Sequence, residues 1–162
     1  MILPYDVNNY LQHHTALVSL FTSYGSTTVP ILPLNSEEPC TTTVDECGET
    51  VQTFTGLPFI TYYWLPGVRD NERYFLRKDR IRYHVLDRDY DRMWQITNLL
   101  VRILDTDTSP AMPPITCSDN SNRIMNYHLT NSHMAAPRLA GGLADSMVEF
   151  EFLYTTTPLA TP

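Results

Sequence analysis

The sequence predicts an α+β fold, with a single antiparallel or mixed sheet and two amphipathic helices packed on one side of it. Two segments repeat apolar residues at helical spacing, and several others alternate apolar and polar residues as strands do. Strands that follow one another without helical crossovers favour antiparallel pairing, and two helices are too few to cover both faces of a sheet. A length of 162 residues suits one domain, residues 1–162.

The first predicted element is an amphipathic helix from Val7 to Phe21. Asp6 is placed to cap its start and Gly25 to end it. His14 lies on the apolar stripe, which favours a half-buried histidine over a metal ligand. The adjacent His13 points about 100° away from it, whereas two metal ligands on one helix need a spacing of four residues. The stripe comprises Val7, Tyr10, Leu11, His14, Leu17, Val18 and Phe21.

An edge strand and a long exposed arm are predicted next. Pro30 and Pro33 restrict residues 27–34 to the edge of a sheet. Residues 35–50 are polar, threonine-rich and acidic. Connections of that length in compact domains are usually functional or disordered, so we interpret residues 35–50 as a contact arm.

Three strands are predicted between this arm and the second helix. One starts at Val51, and the next covers residues 57–65, where aromatic and β-branched residues concentrate ahead of a turn at Pro66-Gly67. Residues 74–86 show the clearest alternation in the chain. Their apolar face carries Ile81, Tyr83 and Val85, and their outer face carries Arg80, Arg82 and His84.

The second helix is predicted to start after Asp89, its N-cap residue, and to reach Leu104. Asp91 in its first turn complements the helix dipole. With Asp87, these aspartates are typical of a capped junction between strand and helix rather than of a catalytic carboxylate cluster.

Two further strands, residues 123–133 and 146–155, are predicted to complete the sheet. A flexible connection with Gly141-Gly142 at its tip joins them, and residues 156–162 form a flexible tail.

Charge is distributed unevenly along the chain, whose net charge is −7. Residues 1–68 contain no Lys or Arg and six acids, whereas eight of the eleven bases lie between Arg69 and Arg92. The overall balance disfavours general binding to a nucleic-acid backbone. Two interpretations stay open: a solvated strand face, or a surface that meets an oppositely charged one.

The motif search predicts no catalytic residues, no metal site and no cofactor. The sequence has no P-loop, GxGxxG, HExxH, GxSxG or EF-hand pattern. Its three cysteines form no CxxC pair, which favours reduced thiols in a cytosolic setting. No signal peptide or membrane span is predicted.

Four segments resemble the tail terminator (tail completion) proteins of tailed bacteriophages. The main one is the strand, aspartate-rich junction and helix FLRKDRIRYHVLDRDYDRMWQITNLLVRILD. The hydrophobic strand and turn LPFITYYWLPG precede it, and the final strand GGLADSMVEFEFLYT follows a glycine-containing loop. The N-terminal helix VNNYLQHHTALVSLF also fits. The similarity covers most of residues 5–155 and is one of pattern and order. Two segments have no counterpart in the minimal family pattern: the acidic segment 35–50 and the proline-rich segment DTDTSPAMPP.

The resemblance implies a non-enzymatic virion protein of the phage neck and tail, assembled in the host cytoplasm. Such proteins form a hexameric ring that caps the tail tube, ends its polymerisation and joins it to the head connector. The implied partners are other copies of the chain, the tail tube protein and the connector or adaptor protein, with no membrane and with DNA only as passing cargo.

Site residues follow from combining this role with the charge pattern. Ring contacts are expected between the basic and the acidic segment of neighbouring subunits. The interface candidates are Arg77, Lys78, Arg80, Arg82, Glu37, Glu38, Asp45, Glu46 and Glu49. Glu149 and Glu151 are expected to face the lumen, where negative charge repels DNA.

Two alternatives stay open. One is a head-completion or connector adaptor protein of the phage neck. The other is a small enzyme or a nucleic-acid-binding module, for which the pocket candidates are Tyr62, Trp64, His84 and His128.

Overall fold

The computed structural model describes residues 3–33, 40–44, 50–54, 56, 58–67, 76–105, 115, 124–135 and 144–155. Within these residues the helices are α1 (Leu3–His13), α2 (Thr15–Ser23) and α3 (Tyr90–Leu104). The strands are β1 (Ile31–Pro33), β2 (Cys40–Val44), β3 (Thr50–Phe54), β4 (Phe59–Leu65), β5 (Leu76–Asp87), β6 (Ile124–Ala135) and β7 (Ala144–Thr155).

Five strands form one mixed sheet in the order β1-β4-β5-β7-β6. The short strand β1 runs parallel to β4, and the other neighbouring pairs are antiparallel. Strands β2 and β3 form a separate antiparallel hairpin. The predicted α+β class with a mixed sheet is confirmed.

The helices pack on one face of this sheet, where the core lies. Alternate residues of β5 and β7 point to this face and are fully buried, including Tyr83 and Phe150. Burying each such side chain contributes about 1.5–3 kcal/mol. Residues from the helices that share the core cluster are Val7, Leu11, Leu17, Phe21, Met93, Ile96, Leu100, Ile103 and Leu104.

The prediction of one unbroken N-terminal helix is wrong, because the helix is interrupted at His14 and continues as a second helix. This residue is the N-cap of α2 and has extended backbone angles, φ −69° and ψ 118°. The prediction that Asp6 caps a helix is also wrong, since α1 begins at Leu3 and Asp6 is buried in its first turn. The helical end at Gly25 is confirmed, and its φ of 85° suits glycine.

Part of the predicted acidic arm is a strand rather than a loop. Residues Cys40–Val44 form β2 and pair with β3, with Thr42 opposite Gln52. Three consecutive threonines, residues 41–43, favour this extended, pleated conformation. The strand predicted from Val51 is confirmed as β3.

The edge strand predicted over residues 27–34 is shorter than expected, since β1 begins only at Ile31. The other remaining strands and the second helix lie within about two residues of the predicted bounds. Asp89 caps α3, and its Oδ1 accepts hydrogen bonds from the backbone N–H groups of Asp91 (2.9 Å) and Arg92 (3.2 Å). The predicted Gly141-Gly142 loop tip and the tail 156–162 lie outside the described residues.

Candidate functional site on the outer face of the sheet

A band of charged side chains crosses the sheet face opposite the helices. We call it the charged band. It comprises Lys78, Arg80, Arg82 and His84 of β5 with Asp145, Glu149 and Glu151 of β7. The register places Arg82 directly opposite Glu149, and Arg80 directly opposite Glu151. Side chains in such opposite positions lie about 5 Å apart at Cβ, close enough for ion pairs.

The Arg82–Glu149 pair is the most enclosed part of the charged band. Arg82 donates to Glu149 Oε2 from Nη2 at 2.8 Å and from Nε at 3.1 Å. Glu149 is only 4% exposed, and its other oxygen, Oε1, lies 3.6 Å from Arg80 Nη1. The Thr130 hydroxyl of β6 donates to the backbone oxygen of Glu149 at 3.0 Å. Both carboxylate oxygens therefore have a cationic partner.

The rest of the charged band is more exposed and weaker. Glu151 lies 3.4 Å from Arg80 Nε and 3.6 Å from Lys78 Nζ, and both bases are more than half exposed. Exposed pairs of this kind contribute about 0–1 kcal/mol. His84 Nδ1 lies 3.1 Å from both carboxylate oxygens of Asp145.

Arg77 lies apart from the charged band, on the helix side of the sheet. Strand alternation places it with Asp79, whose Oδ1 accepts from Arg77 Nε at 3.0 Å. The Arg77 guanidinium also lies 5.8 Å from the centroid of the Trp64 ring. Arg77 therefore points to the opposite face of the sheet from Lys78, Arg80 and Arg82, with which it was predicted to form an interface.

Asp79 is a fully buried carboxylate that sequence reasoning missed. Besides Arg77, it accepts hydrogen bonds from Trp64 Nε1 (3.0 Å), the Gly67 N–H (2.7 Å) and the Tyr154 hydroxyl (2.7 Å). Burial, followed by this hydrogen bond, raises the pKa of Tyr154. The detectable signal was an acidic residue on the apolar face of the alternating strand β5.

A second buried carboxylate, Asp87, orders the junction between β5 and α3. Its oxygens accept from Arg92 Nη2 at 2.7 Å and Nε at 2.9 Å, and from the backbone N–H of Arg88 at 2.7 Å. The hydrogen bond to Asp87 is the main cause that raises the pKa of Arg92. The Arg92 guanidinium also lies 5.6 Å from the ring centroid of Tyr24, which ends α2. This geometry fits the interpretation of Asp87 and Asp89 as parts of a capped junction between strand and helix.

The four side chains considered for a small-molecule pocket do not converge. Tyr62 and Trp64 point to the helix side of β4, whereas His84 and His128 occupy outer-face positions. Within the part of the chain that the structure describes, no three His, Cys, Asp or Glu side chains gather as a metal site requires.

The predicted acidic partners of the basic strand fall outside the described residues, so their contact with β5 stays a prediction. These residues are Glu37, Glu38, Asp45, Glu46 and Glu49. Within the described residues, the structure brings the predicted lumen acids, Glu149 and Glu151, against the bases of β5 in the same chain. The two sets of charges were predicted to serve separate surfaces.

Comparison with known proteins adds no family assignment. The chain matches no protein-family model, and a search of curated proteins finds no similar sequence.

None of the helices in the described ranges combines the length and apolarity that crossing a bilayer requires.

Proposed function

We propose that this chain is a structural protein of a bacteriophage neck and tail. In this proposal it forms a hexameric ring that caps the tail tube, ends tube polymerisation and joins the tube to the head connector.

The observation that carries the proposal is the placement of the segments that resemble tail terminators. Three of them become β4, the β5–α3 unit and β7, and these three strands are neighbours at the centre of the sheet. Helix α3 packs on β5 and β7 and is tied to β5 by the Asp87–Arg92 pair. Segments far apart in the chain thus form one continuous structural unit. This supports a resemblance in fold, rather than three unrelated short sequence similarities.

The charged band supports DNA as passing cargo over DNA as a ligand. A nucleic-acid site needs cations that are free to neutralise phosphates. The Arg82 and Arg80 side chains are instead paired with Glu149 and Glu151. Because its positive charges are paired with carboxylates, this face attracts the DNA phosphates only weakly.

The test of the proposal combines assembly with tube growth. The purified chain, alone and with tail tube protein, is analysed by size-exclusion chromatography with light scattering and by negative-stain imaging. We expect rings, and we expect polymerising tubes to stop growing when the chain is added. A chain that stays monomeric with tube protein present refutes the proposal. Rings that bind a connector and leave tube growth unchanged identify an adaptor instead.

A further inference from the structure

The junction between α1 and α2 is a single residue, His14. Helix α1 ends at His13, the backbone of His14 is extended, and α2 begins at Thr15. Sharp interruptions of a helix usually occur at proline or glycine. Residues 5–24 contain neither, and apolar residues continue at helical spacing through the junction. Tertiary packing, and not the local sequence, therefore separates the two helices.

Packing both helices on one core leaves this junction short of hydrogen bonds. An N-cap residue normally accepts a hydrogen bond from the first turn of its helix, but the His14 side chain makes no such bond to α2. Its buried Nδ1 has no hydrogen-bond partner within the described part of the chain. In a continuous helix, the N–H groups of residues 15–17 would donate to the carbonyl groups of residues 11–13. A straight helix would therefore supply intrahelical acceptors that the present junction lacks.

Helix α1 packs on the sheet, whereas α2 is tied to α3. Val7 and Leu11 of α1 are fully buried in the core. The buried Tyr83 hydroxyl of β5 donates to Asn8 Oδ1 at 2.9 Å. At the end of α2, Tyr24 donates a hydrogen bond of 2.7 Å to a side chain of α3. If the junction straightens, α2 can therefore stay on α3 while α1 is carried away from its own sheet.

We infer that α1 is exchanged between copies of this chain. In the exchanged form, α1 and α2 run as one helix through His14, and α1 packs on the core of the next copy in the place that it occupies in this structure. The inference rests on the proposed ring and identifies its subunit contact. A continuous helix over residues 3–23 is about 30 Å long, so α1 projects about 16 Å beyond the junction.

A second copy is the partner because the structure shows what its core accepts, which is α1 itself. On that core Val7 and Leu11 regain the same burial, and Asn8 regains the hydrogen bond from Tyr83. The closed and exchanged forms therefore share these contacts and differ at the junction, where the straight helix has more hydrogen bonds. A short junction between packed elements favours such an exchange. Exchange in one direction continues from copy to copy until a ring closes.

Two substitutions at the exposed residue Thr15 of the full chain test the inference. Thr15→Pro suits the closed form, because Thr15 is the first residue of α2 and the preceding His14 is already extended. The same proline opposes a continuous helix, so the association constant for ring assembly should fall by about a hundredfold or more per junction. Thr15→Ala is the matched control, since alanine is compatible with both forms, and it should assemble like the wild type. Light scattering across a concentration series measures assembly, and circular dichroism checks the fold.

Cross-linking within the assembled ring gives a direct result. The chain used carries Gln12→Cys on α1 and Pro33→Cys on β1, with its three native cysteines replaced by serine. Gln12 and Pro33 line the same groove, so a short bismaleimide can join the two positions wherever α1 lies on that sheet. In a closed chain the link is internal and the denatured product is a monomer. In the exchanged form each link joins two copies, so we expect a ladder of covalent multimers from the ring fraction.

The outcomes separate this inference from the proposed function. Rings whose cross-linked chains run as monomers overturn the inference and leave the ring proposal standing, as do rings formed equally well by Thr15→Pro and wild type. A ladder that stops at the dimer shows reciprocal exchange, which overturns α1 as the ring contact. The cross-linking result decides the inference even if Thr15→Pro does not fold. A wild-type chain that stays monomeric with tube protein present overturns both proposals.

Discussion

Replacing Asp79 by asparagine should severely weaken the fold, because the buried carboxylate accepts four hydrogen bonds. Oδ1 serves Gly67 and Arg77, and Oδ2 serves Trp64 and Tyr154. Asparagine keeps one oxygen, so two donors lose their acceptor and face an N–H₂ group instead. Each buried donor left without a partner costs about 1–3 kcal/mol. The expected loss is therefore about 2–6 kcal/mol, a large share of the roughly 5–15 kcal/mol typical of a domain.

Urea unfolding followed by far-ultraviolet circular dichroism measures this loss. With an m-value of about 2 kcal/mol/M, the midpoint of the Asp79→Asn variant should fall by about 1–3 M. Asp91→Asn is the matched control, since Asp91 is exposed in the first turn of α3 and should cost about 0.3–1 kcal/mol. A loss for Asp79→Asn no larger than that of the control refutes the reasoning.

Three further measurements test other parts of the structure. In a double-mutant cycle measured by urea unfolding, Arg82→Met and Glu149→Gln should show a coupling free energy of about 0.5–2 kcal/mol. Partial exposure of Arg82 to solvent keeps this coupling energy modest. A coupling energy near zero would contradict the pairing. Burial holds the pKa of Tyr83 well above 10, so the folded state keeps a proton that the unfolded state releases. Stability should then fall as pH rises above about 10, and Tyr83→Phe should reduce this slope; an unchanged slope contradicts the assignment. Burial lowers the pKa of His14, so the unfolded state takes up the proton first as pH falls. Stability should fall below about pH 6.5, and His14→Gln should flatten that dependence between about pH 5 and 7; an unchanged dependence contradicts the assignment.

The elements that sequence reasoning placed correctly are those with local signals. The alternation of Ile81, Tyr83 and Val85 marks β5 without reference to any other strand. The cap at Asp89 similarly marks the start of α3, because its side chain satisfies N–H groups two and three residues away. Periodicity and capping operate over a few residues, so the primary structure is sufficient to reveal them.

The errors arose where local signals were ambiguous. Helical spacing continues through His14, yet the chain leaves helical geometry there, and α2 instead reaches α3, with Tyr24 donating to Gln95 at 2.7 Å. Acidity suggested a loop across residues 40–44, although pairing with β3 makes them a strand. The first contact joins segments 71 residues apart, whereas the second is the pairing of neighbouring strands in a hairpin.

Local patterns in the sequence are enough to predict the α+β class, to locate β5, α3 and β7 within about two residues, and to show that bases concentrate in the middle of the chain. What those bases contact depends on the tertiary structure. Arg82 and Glu149 are 67 residues apart, and Arg80 and Glu151 are 71 apart. They meet because strand order and register place them opposite each other, and a slip of one residue would turn them to different faces.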